Sequence, residues 1–442
     1  MVEYVDSRNF HILEKCIEDV FSVIKPTEDD RNKRLDTIQE VVNSVYSAGD
    51  LGDVAVKPFG SFVSNLYAKS GDLDVSVELS NDPDSLTTKK KRKALRVKRI
   101  NALSEIWRVL EIKGVARDVQ FIPTARVPVV KYVSNKFGIS CDISIDNYPG
   151  RIKSRVLYWL NILDVRFGDM VLLVKEWAKA QNINDPKNGT LNSYSLCLLV
   201  IFHFQTCTPA ILPPMKEFFD VDDPAELGCY NEKHLDEVCL ANIEKFQRQN
   251  IGQRNQRSLF ALLVEFFRKF CRMVPSDVST YTGQPQRTLH VVKSHCWFVE
   301  DPFDRSDNAA RTVDALELRH IASAFTHAHD VIYSYKPADR NEVLTLLCTP
   351  EVRSKLGAGA VVKRYVNYSA SPQQERVAAN PYDNQYRHYS ASPQQERVAA
   401  NPYDNQYRHY SASPQQERVA ANPYDNQYCQ RATGSKRKWR NS

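Results

Sequence analysis

The sequence has little of what marks secreted, membrane or zinc-binding proteins. Its ten cysteines are scattered from Cys16 to Cys429, without the C-x2-C pairs that structural zinc sites use. No stretch reaches 18 consecutive apolar residues, and the first 16 residues carry acidic and aromatic side chains where a secretory signal has an apolar run. We therefore expect a soluble intracellular protein with reduced cysteines and no membrane partner.

The sequence also has only a small excess of positive over negative charge. The 59 Lys and Arg residues outnumber the 53 Asp and Glu residues only slightly, giving a net charge of +6. This balance mildly favours a polyanionic partner but does not require one. With 442 residues, of which 42% are hydrophobic, the chain is long and apolar enough for two or three buried cores. A wholly disordered chain is thereby excluded.

The spacing of apolar residues divides the chain into four segments. Residues 1–49 show helical spacing broken at Pro26, which predicts two N-terminal helices that pack on a helical domain. Residues 50–150 contain the alternating runs VAVKPF, DLDVSVEL, RVPVVKYV and ISCDISID, with a helix between the second and third, and so predict an α+β unit. Residues 151–345 return to helical spacing, and residues 346–442 form a linker and tail.

The tail repeats a 21-residue unit that starts at Tyr368, Tyr389 and Tyr410 and diverges at Cys429. Such a repeat could stack as a solenoid, but each unit has few large apolar groups to bury, so we expect disorder. A basic cluster, SKRKWRNS, ends the sequence, and another run of lysines and arginines occupies residues 89–99. Either could contact RNA, serve as a nuclear import signal, or simply be solvated.

Two aspartates alternate with apolar residues in the run GDLDVSVEL. Because side chains alternate faces along a strand, Asp72 and Asp74 point to one side and the apolar residues to the other. Converging carboxylates are costly to hold without a cation, and oxygen ligands suit Mg²⁺ or Mn²⁺. The alternative is a solvated pair on a half-exposed strand.

A third carboxylate and a strand-to-helix turn strengthen the metal interpretation. Asp142 lies on the alternating run ISCDISID, where Asp146 is a weaker candidate because it lies at the strand end. Three such aspartates can hold two ions, one lowering the pKa of an attacking hydroxyl and one bridging the phosphates of a nucleotide. Gly60 and Ser61 are predicted to offer backbone N–H groups to the triphosphate where a strand turns into a helix.

The combination of FGS, GDLDVSVEL and CDISID resembles the DNA polymerase β-type nucleotidyltransferases. Among them the chain is similar to terminal uridylyltransferases and noncanonical poly(A) polymerases over roughly residues 50–345. The resemblance implies an α+β fold: a polymerase-β-type catalytic domain and a mainly helical central, poly(A) polymerase-associated domain, followed here by the tail. It also implies two Mg²⁺ or Mn²⁺ ions held by Asp72, Asp74 and Asp142, with an RNA 3′-hydroxyl attacking the α-phosphate of UTP.

The same resemblance implies contacts to the nucleotide. Lys175 and Lys179, four apart on one helix face, would bind the β- and γ-phosphates, although two solvated lysines are the usual outcome of such spacing. Ser193 would contact phosphate, and the ring of Tyr194 would stack on the base, where a core aromatic is the alternative. Ser154, in a place where relatives have an Asn-Thr pair, is predicted to reach the ribose.

The segment VEDPFD resembles the loop that reads the base edge in this family. Asp301, and with it Asp304, would accept a hydrogen bond from the uracil N3–H directly or through water, whereas an Asp-Pro pair that merely begins a helix is the alternative. Asp307 stands where many uridylyltransferases have a histidine that helps to exclude adenine. The choice between UTP and ATP therefore depends on this position.

The overall resemblance is to plant terminal uridylyltransferases. It implies addition of uridine to single-stranded RNA 3′ ends, particularly small RNAs without 3′ methylation and RNA decay fragments. The alternatives are a noncanonical poly(A) polymerase and a catalytically inactive RNA-binding scaffold. We expect a monomer in the nucleus and cytoplasm, including RNA decay granules, whose tail binds small-RNA effector or decay-body proteins.

Overall fold

A computed structural model describes residues 7–48, 51, 54–79, 89–219, 232–249, 254–285, 296–333 and 339–357. These residues all lie in one compact unit, Met1–Ser369. The predictions for the repeat tail and its basic terminus fall outside the described residues. The helices are α1 (Ser7–Ile24), α2 (Glu28–Ser47), α3 (Gly60–Val63), α4 (Lys89–Ile112), α5 (Tyr148–Leu163), α6 (Val165–Ala180), α7 (Ser193–Gln205), α8 (Met215–Phe219), α9 (Glu232–Arg248), α10 (Leu259–Met273), α11 (Ala315–Ile332), α12 (Arg340–Leu347) and α13 (Pro350–Lys355).

The strands form two sheets. The first contains β1 (Val54–Phe59), β2 (Leu73–Leu79), β3 (Ala116–Ile122), β4 (Val129–Ser134) and β5 (Ser140–Ile145), in the order β1-β2-β5-β4-β3. The second contains β6 (Val278–Ser279), β7 (Gln284–Pro285), β8 (Val299–Asp301) and β9 (Asp304–Asn308), in the order β7-β6-β8-β9. The structure therefore has the mixed α+β composition that the sequence predicts.

The two N-terminal helices pack against different parts of the protein. Helix α1 packs on α12 and α13, and Asp19 accepts a 2.7 Å hydrogen bond from Arg340. Helix α2 begins at a capping box in which Thr27 and Asp30 exchange hydrogen bonds, so the break predicted at Pro26 is confirmed. This second helix packs on β1 and α4. Its fully buried Arg34 donates to backbone carbonyls of the loop that leads into β2.

The five-stranded sheet contains one parallel pair, β2 with β5, and the remaining neighbours are antiparallel. The four predicted strands and the helix after the second of them are confirmed. The sequence pattern missed β3, an edge strand that has no fully buried side chain and therefore lacks a buried apolar face. Pro58 is accommodated because β1 is the opposite edge strand and needs fewer backbone donors.

The helical half buries an aromatic core. Trp177 of α6 is fully buried, with its ring centroid 4.9 Å from Phe267 of α10 and 4.8 Å from Phe325 of α11. Rings this close contribute more stability than their buried area alone. Within the described residues, the helices are too short or too polar to cross a lipid bilayer.

The base hairpin, by which we mean β8 and β9 with the turn between them, lies beside the N-terminal end of α7. Glu300 pairs with Asn308 and Asp301 with Asp304, with a register shift between the two pairs. The Asp-Pro dipeptide therefore forms a hairpin turn. The alternative that it begins a helix is wrong, because the backbone on both sides is engaged in the sheet.

Candidate functional site

The predicted acidic residues meet on one face of the five-stranded sheet. Asp74 of β2 and Asp142 of β5 are direct partners in the parallel register, so their side chains project to the same face from strands that are about 4.8 Å apart. Asp72 precedes β2 and is exposed. Burial, followed by the charges of Asp142 and Asp72, raises the pKa of Asp74 to about 7. Burial likewise raises the pKa of Asp142.

The surroundings of the cluster fit a bound divalent cation. Lys131 lies opposite Asp142 in the β4–β5 register and forms an ion pair with its Oδ2 atom. The other oxygen, Asp142 Oδ1, is buried without a hydrogen-bond partner. Buried carboxylate oxygens are normally satisfied, and a hard cation is the ligand that oxygen donors of this kind favour. Asp72, Asp74 and Asp142 are therefore the residues that would hold a metal.

Asp146, the weaker candidate for the third acid, has a different role. Its Oδ1 accepts a 2.9 Å hydrogen bond from the backbone N–H of Leu79, and its Oδ2 pairs with Arg99 at 3.2 Å. The residue has a positive φ of 48° at the end of β5. Asp146 thus joins the ends of two strands to α4 and is a structural residue.

A second group of metal-ligand types lies in the helical core. His203, Cys207 and Glu265 approach one another within 4.8 Å. However, Arg257 forms a 2.5 Å ion pair with Glu265, and burial followed by the charge of Lys269 lowers the pKa of His203. Arg257 already neutralises the Glu265 carboxylate, and we assign no metal to this group.

Gly60 lies against the acidic cluster at the turn from β1 into α3. Its φ is +70°, and a Cβ atom at this position would stand 2.8 Å from Cγ of Asp74, closer than side-chain carbons approach. The N–H of Gly60 donates a 2.6 Å hydrogen bond to Ser154 Oγ of α5. Ser61 follows as the second residue of α3. The predicted strand-to-helix turn is confirmed, and its backbone runs beside Asp74.

Ser154 holds this turn in place. It is buried, accepts from Gly60, and donates its hydroxyl hydrogen to Gly150 O at 2.6 Å. Its only hydrogen-bond donor is therefore used within the protein. The ribose contact predicted for Ser154 stays a prediction.

Lys175 of α6 lies near the carboxylates, and Lys179 lies near Lys175. Lys175 Nζ donates to Leu66 O at 3.2 Å. Burial lowers its pKa, Lys179 lowers it further, and the charges of Asp74 and Asp72 oppose this change. Lys179, one turn later, is exposed. The sequence analysis did not single out Lys187, whose positive charge reaches Asp142 and partly opposes the rise in the pKa of that carboxyl. The acidic face is thus ringed by positive charge suited to phosphates.

The start of α7 presents Ser193 and Tyr194. Asn192 caps this helix by accepting from the N–H of Ser195 at 2.8 Å, and Ser193 Oγ accepts from Asn184 Nδ2 at 3.2 Å. The phenol of Tyr194 donates to Asp301 Oδ1 at 3.1 Å. Burial, and next the Asp301 charge, raises the pKa of Tyr194 well above its usual value. The structure therefore brings the predicted stacking ring and the predicted base-edge acid into contact.

Lys153 is a member of this group that the sequence analysis did not select. Its ammonium forms an ion pair with Asp301 and lies 4.6 Å from the centroid of the Tyr194 ring. Asp301, only 2% exposed, also accepts from the N–H of Phe303 at 3.0 Å. Three donors thus occupy the Asp301 carboxylate. The sequence feature that could have identified Lys153 is its position directly before Ser154, a residue predicted to contact the ribose.

We predict that Lys153→Met lowers the free energy of unfolding by about 1–3 kcal/mol, because it leaves the Asp301 charge buried without its ammonium partner. The double variant Lys153→Met/Asp301→Asn should recover most of this loss, since asparagine can still accept from Tyr194 and Phe303. Equilibrium urea unfolding of both variants measures the difference. Equal destabilisation by the single and double variants would contradict an uncompensated charge as the cause.

The other two predicted acids of the base hairpin differ in their surroundings. Asp304 is exposed, and its Oδ1 accepts hydrogen bonds from the N–H and the hydroxyl of Ser306. Asp307 forms ion pairs with Arg126 at 2.9 Å and with Arg311 at 3.3 Å. Asp307 is therefore held between two guanidinium groups, while the side chain of Asp304 forms hydrogen bonds only within its own strand, β9, among the described residues.

Comparisons with known proteins agree with this geometry. Residues 13–160 match the family described as "Poly(A) RNA polymerase, mitochondrial-like, central palm domain". Protein HESO1 of Arabidopsis thaliana is 42% identical over 361 residues, covering 79% of this chain and 69% of HESO1. Terminal uridylyltransferase cid1 of Schizosaccharomyces pombe is 28% identical over 353 residues, covering 72% of this chain and 78% of cid1.

A solved structure supports the same fold. The Cid1 poly(U) polymerase with MgGTP bound superimposes with a TM-score of 0.59 and 24% sequence identity, covering 76% of this chain and 98% of that one. At this level of identity the likeness establishes the fold, and the identity to HESO1 establishes the relationship. The chain belongs to the family of RNA nucleotidyltransferases that includes HESO1, the terminal uridylyltransferases and the poly(A) RNA polymerases.

Proposed function

We propose that the chain is a template-independent RNA 3′-terminal uridylyltransferase, which transfers UMP from UTP to the 3′-hydroxyl of RNA and releases diphosphate. The observation that carries this proposal is the pairing of Asp74 with Asp142 on the sheet, where Asp142 has a buried unpartnered oxygen and the charges of Lys131 and Lys187 reach its carboxylate. The likeness to HESO1 and cid1 supports uridine as the added nucleotide.

Each group of site residues has a separate role in the reaction. Asp72, Asp74 and Asp142 would hold two Mg²⁺ or Mn²⁺ ions, which when bound lower the pKa of the 3′-hydroxyl and stabilise negative charge on the phosphates. Lys175 and Lys179 attract the β- and γ-phosphates electrostatically. As the RNA 3′ oxygen bonds to the α-phosphorus, the bond to the bridging oxygen of diphosphate breaks.

Other residues orient the two substrates. Asp142, with its unpartnered Oδ1, is the carboxylate we assign to accepting the hydroxyl proton. Gly60 and Ser61 are the residues we assign to donating backbone N–H groups to the triphosphate, and the N–H of Gly60 donates to Ser154 Oγ in the structure. Tyr194 supplies a flat ring for the base, and stacking of this kind contributes about 1–3 kcal/mol for any base.

The RNA substrate and the cellular setting form part of the same proposal. The resemblance to plant terminal uridylyltransferases favours small RNAs without 3′ methylation and RNA decay fragments as substrates. The protein acts as a monomer in the nucleus and cytoplasm, and the repeat tail that starts at Tyr368 recruits small-RNA effector or decay-body proteins. The basic runs are consistent with nuclear import or with RNA contact.

The direct test incubates the purified chain with Mg²⁺, a short single-stranded RNA and each nucleoside triphosphate separately. We expect extension with UTP, and we expect a 2′-O-methyl group on the RNA 3′ end to prevent it. Extension by ATP in preference to UTP would identify a poly(A) polymerase instead. Absence of extension with every nucleotide, in a folded sample that binds RNA, would indicate an inactive RNA-binding scaffold.

A further inference from the structure

Two acids of the base hairpin, Asp301 and Asp307, do not present bare carboxylates. Asp301 is neutralised by Lys153, and Asp307 by Arg126 and Arg311. The edge of the base site is therefore lined by cationic N–H donors. The contacts predicted between the base and Asp301 and Asp304 stay predictions.

Arg126 comes from the half of the protein that carries the catalytic aspartates. It lies in the loop between β3 and β4, whereas Asp307 lies on β9, 181 residues later. Arg96 of α4 fixes this loop by donating to the carbonyls of Pro123 and Ala125, both at 2.9 Å. The backbone of Arg126 is thus anchored on the sheet side, and its side chain crosses to the hairpin.

The Arg126–Asp307 pair leaves donors free at the rim of the site. The Arg126 side chain is 61% exposed and that of Asp307 only 19%. A guanidinium has five N–H groups and accepts no hydrogen bonds, so the 2.9 Å bond to Asp307 uses only part of its capacity. Arg311, in contrast, also donates to Asn308 O at 3.2 Å and is bound to its own half of the protein.

We propose that Arg126, oriented by Asp307, is a specificity-determining residue that donates a hydrogen bond to a carbonyl oxygen of the uracil base. The proposal rests on the proposed uridylyltransferase function and names the group that selects UTP. Uracil carries O4 where adenine and cytosine carry amino groups at the corresponding edge. A guanidinium binds the carbonyl and repels the amino group, whereas an unpaired carboxylate would do the opposite.

The position of the pair supports this role. Asp307 lies on β9 of the base hairpin, and Asp301 on the paired strand β8 accepts a 3.1 Å hydrogen bond from the phenol of Tyr194. The pair therefore belongs to the hairpin that contacts the ring on which the base would stack. A free arginine side chain has many rotamers, and a carboxylate partner reduces the entropy lost when it binds a ligand. Asp307 thus holds an arginine that comes from the other half of the protein.

The test compares Arg126→Gln with the matched variant Arg311→Gln, which breaks only the local pair of Asp307. Equilibrium binding of UTP and of ATP is measured with Mg²⁺ and without RNA, on the full chain, below its melting temperature. We expect Arg126→Gln to lower the UTP-to-ATP affinity ratio by roughly tenfold. Arg311→Gln should change the ratio by less than about twofold, and Arg126→Lys should retain part of it because an ammonium still donates.

Binding measurements separate this inference from the proposed function. An unchanged affinity ratio in Arg126→Gln, with weaker RNA binding, would overturn the inference and make Arg126 an RNA-phosphate contact only. A wild-type chain that binds UTP in preference to ATP through Arg126, but extends no RNA, would uphold the inference and contradict the transferase activity. A wild-type chain that binds ATP in preference would overturn both.

Discussion

Asp74→Asn is expected to reduce RNA extension by roughly 10³-fold or more, because one carboxylate of the metal-holding set is lost and the ions provide several kcal/mol of transition-state stabilisation. The same substitution should stabilise the protein when divalent cations are absent. Asp74 lies directly beside Asp142 in the parallel register, and removing one of two adjacent, partly buried charges relieves their repulsion. Primer extension and thermal unfolding in EDTA measure the two effects.

The gain in stability should depend on pH in a defined direction. The pKa of Asp74 is raised by burial to about 7 in the folded state, above its ordinary value of 3.8. Ionisation of Asp74 therefore lowers the free energy of unfolding of the wild-type protein. This loss begins as the pH rises above about 4 and is complete above about 7. The variant should match the wild type near pH 4 and exceed it by roughly 1–3 kcal/mol at pH 8.

Above pH 7, added Mg²⁺ should make the wild type more stable than Asp74→Asn, because the wild type gains a ligand that binds only its folded state.

Asp146→Asn is the matched control. Its side chain joins the ends of two strands to α4, and asparagine tolerates the positive φ of this position. We expect Asp146→Asn to keep extension within about threefold of wild type. Loss of activity in both variants, or higher activity in Asp74→Asn, would contradict the assignment of Asp74.

The sequence predicted the acidic side of the site because its signals are local. Alternation along a strand places Asp74 and Asp142 opposite the buried Leu73 and Ile143 without knowledge of the rest of the chain. Helical spacing similarly predicted both N-terminal helices and the helical half. The break at Pro26 and the turn at Gly60 depend on single residues with restricted or unusual backbone preferences.

The cations that complete the site could not be predicted in this way. Lys131, Lys153 and Arg126 pair with acids that lie 11, 148 and 181 residues away. The first pairing depends on the register of β4 against β5, and the other two depend on how the base hairpin packs against α5 and the β3–β4 loop. Hairpin β8–β9 itself has short, polar strands, so its sequence carries no alternating apolar pattern.

Gly60→Ala is expected to lower RNA extension by roughly 100-fold, because catalysis is sensitive to displacements of about 1 Å at the reacting groups. The new Cβ atom would meet the Asp74 carboxylate, with Cγ at 2.8 Å, so either the turn or Asp74 must move. Alanine at a φ of +70° also strains the backbone, and this strain would by itself lower the stability.

Gly138→Ala separates the two effects of the Gly60 substitution. Gly138 has a φ of +67° and nothing within 4 Å of an added Cβ, so its substitution brings backbone strain without a clash. Both variants should lose about 1 kcal/mol of stability from strain, but only Gly60→Ala should lose activity. Equal activity of the two variants, with RNA extension measured well below their melting temperatures, would show that the approach of Gly60 to Asp74 is not needed for catalysis. A selective loss in Gly60→Ala would instead tie the glycine to the position of a catalytic carboxylate.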